Sequence, residues 1–158
     1  MVHGRMRARK LLVAMMFVMA SPITIGRAAD VLPPLDPNLV KHGHALYEQY
    51  CATCHGANAE GAPNWQERDE HGELPAPPHN AEGHTWRHSD AELYEMLSKG
   101  MRDPFNKTTR LTMPAFADTL SPSQIRAVIA YLKTLWTPEQ RSFQSEESRD
   151  HPFPTTAR

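Results

Sequence analysis

The sequence predicts an all-α fold in which three main helices and two long loops close around a large buried cofactor. Every capped, periodic apolar segment has helical spacing, and no run alternates as a strand does. The loops over 56–88 and 101–120 are too long for a compact domain unless they wrap something. The apolar residues of three helices look too few to close those loops over one another.

The elements read in order as follows. The basic stretch RMRARK precedes an apolar run, LLVAMMFVMASPITI, and then GRAA. That order is a secretory signal over residues 1–29, and cleavage after Ala28 would put Gly26 and Ala28 at the small-residue positions. The run is shorter than the roughly 20 residues that span a bilayer. A proline-rich lead-in follows. Asp36 as N-cap and Pro37 at the first helical position then open a helix to about Cys51. Leu39, Leu46, Tyr47 and Tyr50 form its apolar stripe, which Gly43 interrupts on the Tyr47 face. A mid-helix glycine costs about 1 kcal/mol against alanine, which suggests that another backbone comes close there.

Ser89 and Glu92 form a capping box that opens a second helix, with Leu93, Met96 and Leu97 as its stripe and Gly100 as its stop. Ser121, Pro122 and Gln124 open a third helix over SPSQIRAVIAYLKTLW. Thr137, Pro138 and Gln140 repeat the starting pattern for a short fourth helix. The polar composition beyond predicts a disordered tail over 145–158, so that the folded domain spans 30–144.

Charge narrows the function classes. Five of the 17 basic residues (Arg5, Arg7, Arg9, Lys10 and Arg27) and none of the 18 acidic ones precede Asp30. The remainder carries 12 basic and 18 acidic residues, a formal net charge of −6. A nucleic-acid binder needs a basic stripe instead.

The chain holds only two cysteines, Cys51 and Cys54, with His55 directly after. C-x-x-C-H is an attachment pattern for c-type haem. Two thiols three residues apart add to the two vinyl groups on one porphyrin edge, and the next residue offers an imidazole to the iron. His55 is then the proximal ligand. A zinc site needs more ligands than one cysteine pair, and a thioredoxin-like dithiol needs strands. A simple disulfide would leave His55 and the long loops unexplained. The favoured second axial ligand is Met113, in a loop and followed by Pro114, because a thioether is a soft ligand that suits electron transfer. Met96 fits a core stripe better, Met101 follows a helix stop, and His79, His84 and His88 are rival ligands from the other loop.

The stretches GHALYEQYCATCHG, MPAF and IAYLK resemble a small class I c-type cytochrome over roughly residues 37–136. The resemblance implies a first helix that ends in the haem motif and crosses the last helix at Gly43 and Tyr47, with Val128 and Tyr131 as partners. It also implies a proline carbonyl that accepts a hydrogen bond from His55, with Pro75, Pro77 and Pro78 as candidates. The 33-residue stretch between His55 and Ser89 is longer than in compact relatives. There GHTWRHSD resembles a subset of bacterial monohaem cytochromes, and Trp86 either faces a haem propionate or caps the core.

The function expected is a periplasmic electron carrier with one haem c bonded through Cys51 and Cys54 and ligated by His55 and Met113. Redox proteins would dock transiently at the haem edge. No residue set points to catalysis beyond electron transfer. The alternatives are a haem-based ligand-binding or catalytic protein with a labile sixth ligand and, more distantly, a copper chaperone.

Overall fold

The computed structural model describes residues 1, 32, 34–107 and 111–155. The expected export segment, apart from Met1, lies outside them. The elements in order are α1 (Pro37–Tyr50), α2 (Ala52–His55), a 3₁₀ turn (Thr85–Arg87), α3 (Asp90–Lys99), α4 (Pro122–Lys133) and α5 (Pro138–Asp150). Among the described residues no strand forms, and the one isolated β-bridge joins Met101 to Met113. The architecture is all-α, as expected.

The caps are where local chemistry puts them. Asp36 accepts from the Asn38 N–H to start α1. Ser89 with Glu92, Ser121 with Gln124 and Thr137 with Gln140 each form a complete capping box. Each box satisfies backbone donors that the first helical turn leaves without partners.

The core lies where α1 crosses α4. Leu46 and Tyr47 from α1 meet Ile125, Val128, Ile129 and Leu132 from α4, and Leu93 and Leu97 from α3 join them. A Cβ at Gly43 would stand 1.9 Å from the Ala127 carbonyl oxygen and 3.1 Å from the Tyr131 Cβ. Only a residue without a side chain lets the two helix backbones approach so closely. The closest neighbour is therefore Ala127 rather than Val128. Tyr131 is confirmed as a partner, its ring centroid 5.2 Å from that of Tyr47.

The C-terminal region differs from the expectation of a disordered tail from Ser145. Helix α5 continues to Asp150. It has no apolar stripe; polar groups fasten it. Gln144 is 1% exposed, and its Nε2 donates to Asp90 Oδ1 and Ser148 Oγ at 2.8 Å and shares a proton with the His88 carbonyl at 3.3 Å. Gln140 donates to the Ala81 carbonyl, and the Asp90 N–H donates to Ser148 Oγ. Lys133 pairs with Asp90 across α4 and α3. Phe143 meets Trp86 edge to face. Buried polar groups without partners are costly, so this fully bonded set holds α5 against α3 and the 3₁₀ turn.

Candidate cofactor site

The site begins where α1 hands over to α2. The Cys51 N–H donates to the Tyr47 carbonyl, and the Cys54 and His55 N–H groups both donate to the Cys51 carbonyl. One turn of backbone thus carries both thiols and the imidazole. Cys51 is buried and Cys54 exposed, and neither is in a disulfide. Burial, then the neighbouring Cys54, pushes the Cys51 thiol up to about 11. It stays protonated near neutrality. Among the described residues no group of three or more His, Cys, Asp or Glu side chains is placed to hold a metal ion.

His55 is 8% exposed. Its Nδ1 lies 2.8 Å from the Pro77 carbonyl oxygen. A carbonyl only accepts, so Nδ1 carries the proton and Nε2 keeps a bare lone pair. Burial lowers the pKa of His55, and the bond to Pro77 opposes that shift. A buried neutral imidazole with its far nitrogen unprotonated is the form that binds a metal.

The structure selects Pro77 from the three candidate prolines, and tertiary contacts seat it. The Ala62 N–H donates to the Ala76 carbonyl on one side, and the His79 and Asn80 N–H groups donate to the Ala59 carbonyl on the other. A Cβ at Gly83 would lie 2.0 Å from the Pro78 carbonyl oxygen, so the turn after the prolines presses on them directly. Below the motif, the Tyr47 hydroxyl donates to the Gly56 carbonyl at 2.9 Å.

His79 lies against the same imidazole, with ring centroids 4.0 Å apart and planes 31° apart. Burial, then His55, then His84, pushes its pKa down to about 3. This ring contact was not foreseen, because it depends on how the loop returns. Of the other rivals, His84 stacks over Trp65, and His88 stands beside Glu92. Trp86 donates its ring N–H to the Gly83 carbonyl at 2.9 Å. Its polar tip therefore closes a local turn, which favours the capping reading over a propionate contact.

Met113 comes from a separate segment. Its backbone exchanges hydrogen bonds with Met101 at 3.0 and 3.1 Å. The side chain is half-buried against the hydrophobic cluster that includes Cys51. Gly100, at φ +72°, ends α3 beneath it, and a Cβ there would meet the Met113 carbonyl oxygen at 2.6 Å. Met101 is 43% exposed, whereas Met96 packs at the edge of the core.

The donor set fits a group bonded through two thiols and ligated by an imidazole. The thiols are unpaired, share one turn with His55, and leave Nε2 uncommitted to Pro77.

The family profile for cytochrome c matches residues 40–136. The chain is 29% identical over 104 residues to a cbb3-type cytochrome c oxidase subunit, FixP, of Sinorhizobium medicae, covering 65% of this chain and 32% of that protein. It is 33% identical over 107 residues to the cbb3-type oxidase subunit CcoP of Rhodobacter capsulatus, covering 61% and 32%. It is 31% identical over 104 residues to the dehydrogenase subunit of a quinone alcohol dehydrogenase of Acetobacter aceti, covering 65% and 12%. The chain thus spans about a third or less of the length of these relatives. No solved structure matches significantly. With the family profile over most of its folded residues and the C-x-x-C-H turn inside the match, the chain belongs to the cytochrome c family, and its cofactor is haem c held through Cys51 and Cys54.

Proposed function

We propose that the chain is an exported, periplasmic monohaem carrier that passes single electrons between redox proteins, with His55 and Met113 as axial ligands. In this reading residues 1–29 direct export and residues from Asp30 form the carrier. When bound, haem c supplies an iron that alternates between its ferric and ferrous states.

The chain's own residues do the rest. Cys51 and Cys54 keep the cofactor in place through bonds that thiol exchange does not reverse. His55 offers Nε2 from one side. The Pro77 carbonyl holds Nδ1–H, which fixes the ring's orientation and raises its basicity. Met113 offers a thioether from the other side, a soft donor that raises the reduction potential. Were His55 and Met113 both to hold the iron, the chain would leave it no open place for oxygen or peroxide.

The similar proteins are oxidase and dehydrogenase subunits by name, which supports electron passage within or beside a redox assembly. No described helix is long and apolar enough to cross a membrane, so a partner would meet the folded domain by docking.

The observation that supports His55 as a ligand is its Nδ1 bond to Pro77, beside two unpaired thiols. The test is a visible spectrum of holoprotein matured in an export-competent host. The oxidised protein should show a far-red methionine-to-iron band, absent from Met113→Ala, and the variant's potential should fall. The fall should be on the order of 0.1 V, a fraction of the roughly 0.8 V range that axial ligands set. An unchanged band and potential in Met113→Ala would reject that ligand. Prompt carbon monoxide binding by the reduced wild type would favour a ligand-binding or catalytic haem protein instead.

A further inference from the structure

His79 is fixed at four points. Its N–H donates to the Ala59 carbonyl at 2.8 Å, and its own carbonyl accepts from Trp136 Nε1 at 2.9 Å. Its Nδ1 lies 2.8 Å from Thr85 Oγ1, and Thr85 in turn reaches the Pro78 carbonyl at 3.5 Å. Its ring lies 4.0 Å from the His55 ring. The two backbone bonds fix the position of residue 79, and the Thr85 contact orients its ring.

Pro77 and His79 stand two residues apart and take different parts of one imidazole. Pro77 takes its Nδ1–H at the ring edge, and His79 takes its face. A single hydrogen bond leaves the ring free to tilt about the donor–acceptor line. Contact on the face removes that freedom and keeps water from the bond. The orientation, basicity and solvent shielding of an axial histidine are levers on the iron's potential.

We infer that His79 is a positioning residue for the cofactor: held by Thr85 and Trp136, its ring sets the tilt of His55 and shields the His55–Pro77 bond, and so sets the reduction potential. The inference rests on His55 being the proximal ligand.

The test uses haem-loaded protein and two readouts: the potential, and the rate at which the His55 Nδ1 proton exchanges with deuterated solvent, followed by NMR in the reduced state. In His79→Ala the exchange should quicken at least tenfold and the potential should shift downward, because solvent favours the more highly charged ferric state. His79→Phe restores a flat ring and should return both readouts close to wild type. Glu146→Ala, an exposed change on α5, should move neither. Wild-type values in His79→Ala, or a His79→Phe variant as altered as His79→Ala, would overturn the inference. If His79→Ala fails to hold haem, His79→Phe decides: recovery with wild-type exchange supports it, and failure to recover overturns it. Absence of an iron-bound imidazole signal in the wild type would instead remove the assignment of His55 on which the inference stands.

Discussion

Around His55, the supporting groups come from one loop segment, residues 77–85, and from Trp136 beyond α4. Pro77 holds one nitrogen, His79 covers one face, Trp136 and Thr85 hold His79, and Gly83 presses on the proline segment. Around Met113, the backbone bonds to Met101 and the Thr112 hydroxyl hold the loop. Met101, Thr112 and Gly100 shape the loop, and the Met113 side chain packs against the apolar cluster. The difference follows from donor chemistry. An imidazole has a second nitrogen that a protein can grip, and a thioether has none, so a methionine ligand is placed through its backbone.

The comparison breaks most severely at the attachment turn. Cys51→Ser or Cys54→Ser should leave almost no stable holoprotein on either side of the haem, read as covalent haem per chain by intact mass. Next comes Gly43→Val. It forces α1 from α4 at the Ala127 carbonyl and should cost about 3 kcal/mol, the upper part of the usual overpacking range. Denaturant unfolding of the holoprotein measures it.

A matched pair then separates the two sides. Gly83→Ala pushes on the Pro78 carbonyl and should disturb the His55 proton resonance while leaving the far-red methionine band. Gly100→Ala places a Cβ at positive φ, at about 1–2 kcal/mol, and should weaken that band while leaving the His55 resonance. Equal effects of both changes on both signals would show that the sides are not independently supported. The smallest effect belongs to Gln144→Leu, which leaves the His88 carbonyl short of a donor while Lys133 still serves Asp90. It should cost about 1 kcal/mol, seen as a lower midpoint of unfolding with an unaltered visible spectrum.

Much of this was legible in the residues because it is local. Ser89, Ser121 and Thr137 announce their helices within four positions, and Cys51, Cys54 and His55 carry their chemistry in five. Gly43 was legible as a close approach, although not that the Ala127 carbonyl would stand nearest it, since a glycine does not reveal the register of the helix it meets. Three features were not legible. Pro77 could not be told from Pro75 and Pro78, because a loop without periodicity takes its register from distant contacts. The stack of His79 on His55 arises only when the chain returns. Helix α5 lacks an apolar stripe, so nothing in its pattern reveals that a single buried glutamine anchors its middle.

The pairing of Gly43 with Ala127 also bears on how the chain reaches its native state. The two residues lie near opposite ends of the family-matched stretch, and joining them encloses nearly the whole domain in one loop. Non-local closure of that kind is slow, since chain entropy is lost before any contact compensates. A porphyrin already fastened near the start of that loop would give the intervening segments a nearby surface on which to collapse. Refolding should therefore run faster with the prosthetic group in place than in the bare polypeptide, a difference that stopped-flow tryptophan fluorescence would register.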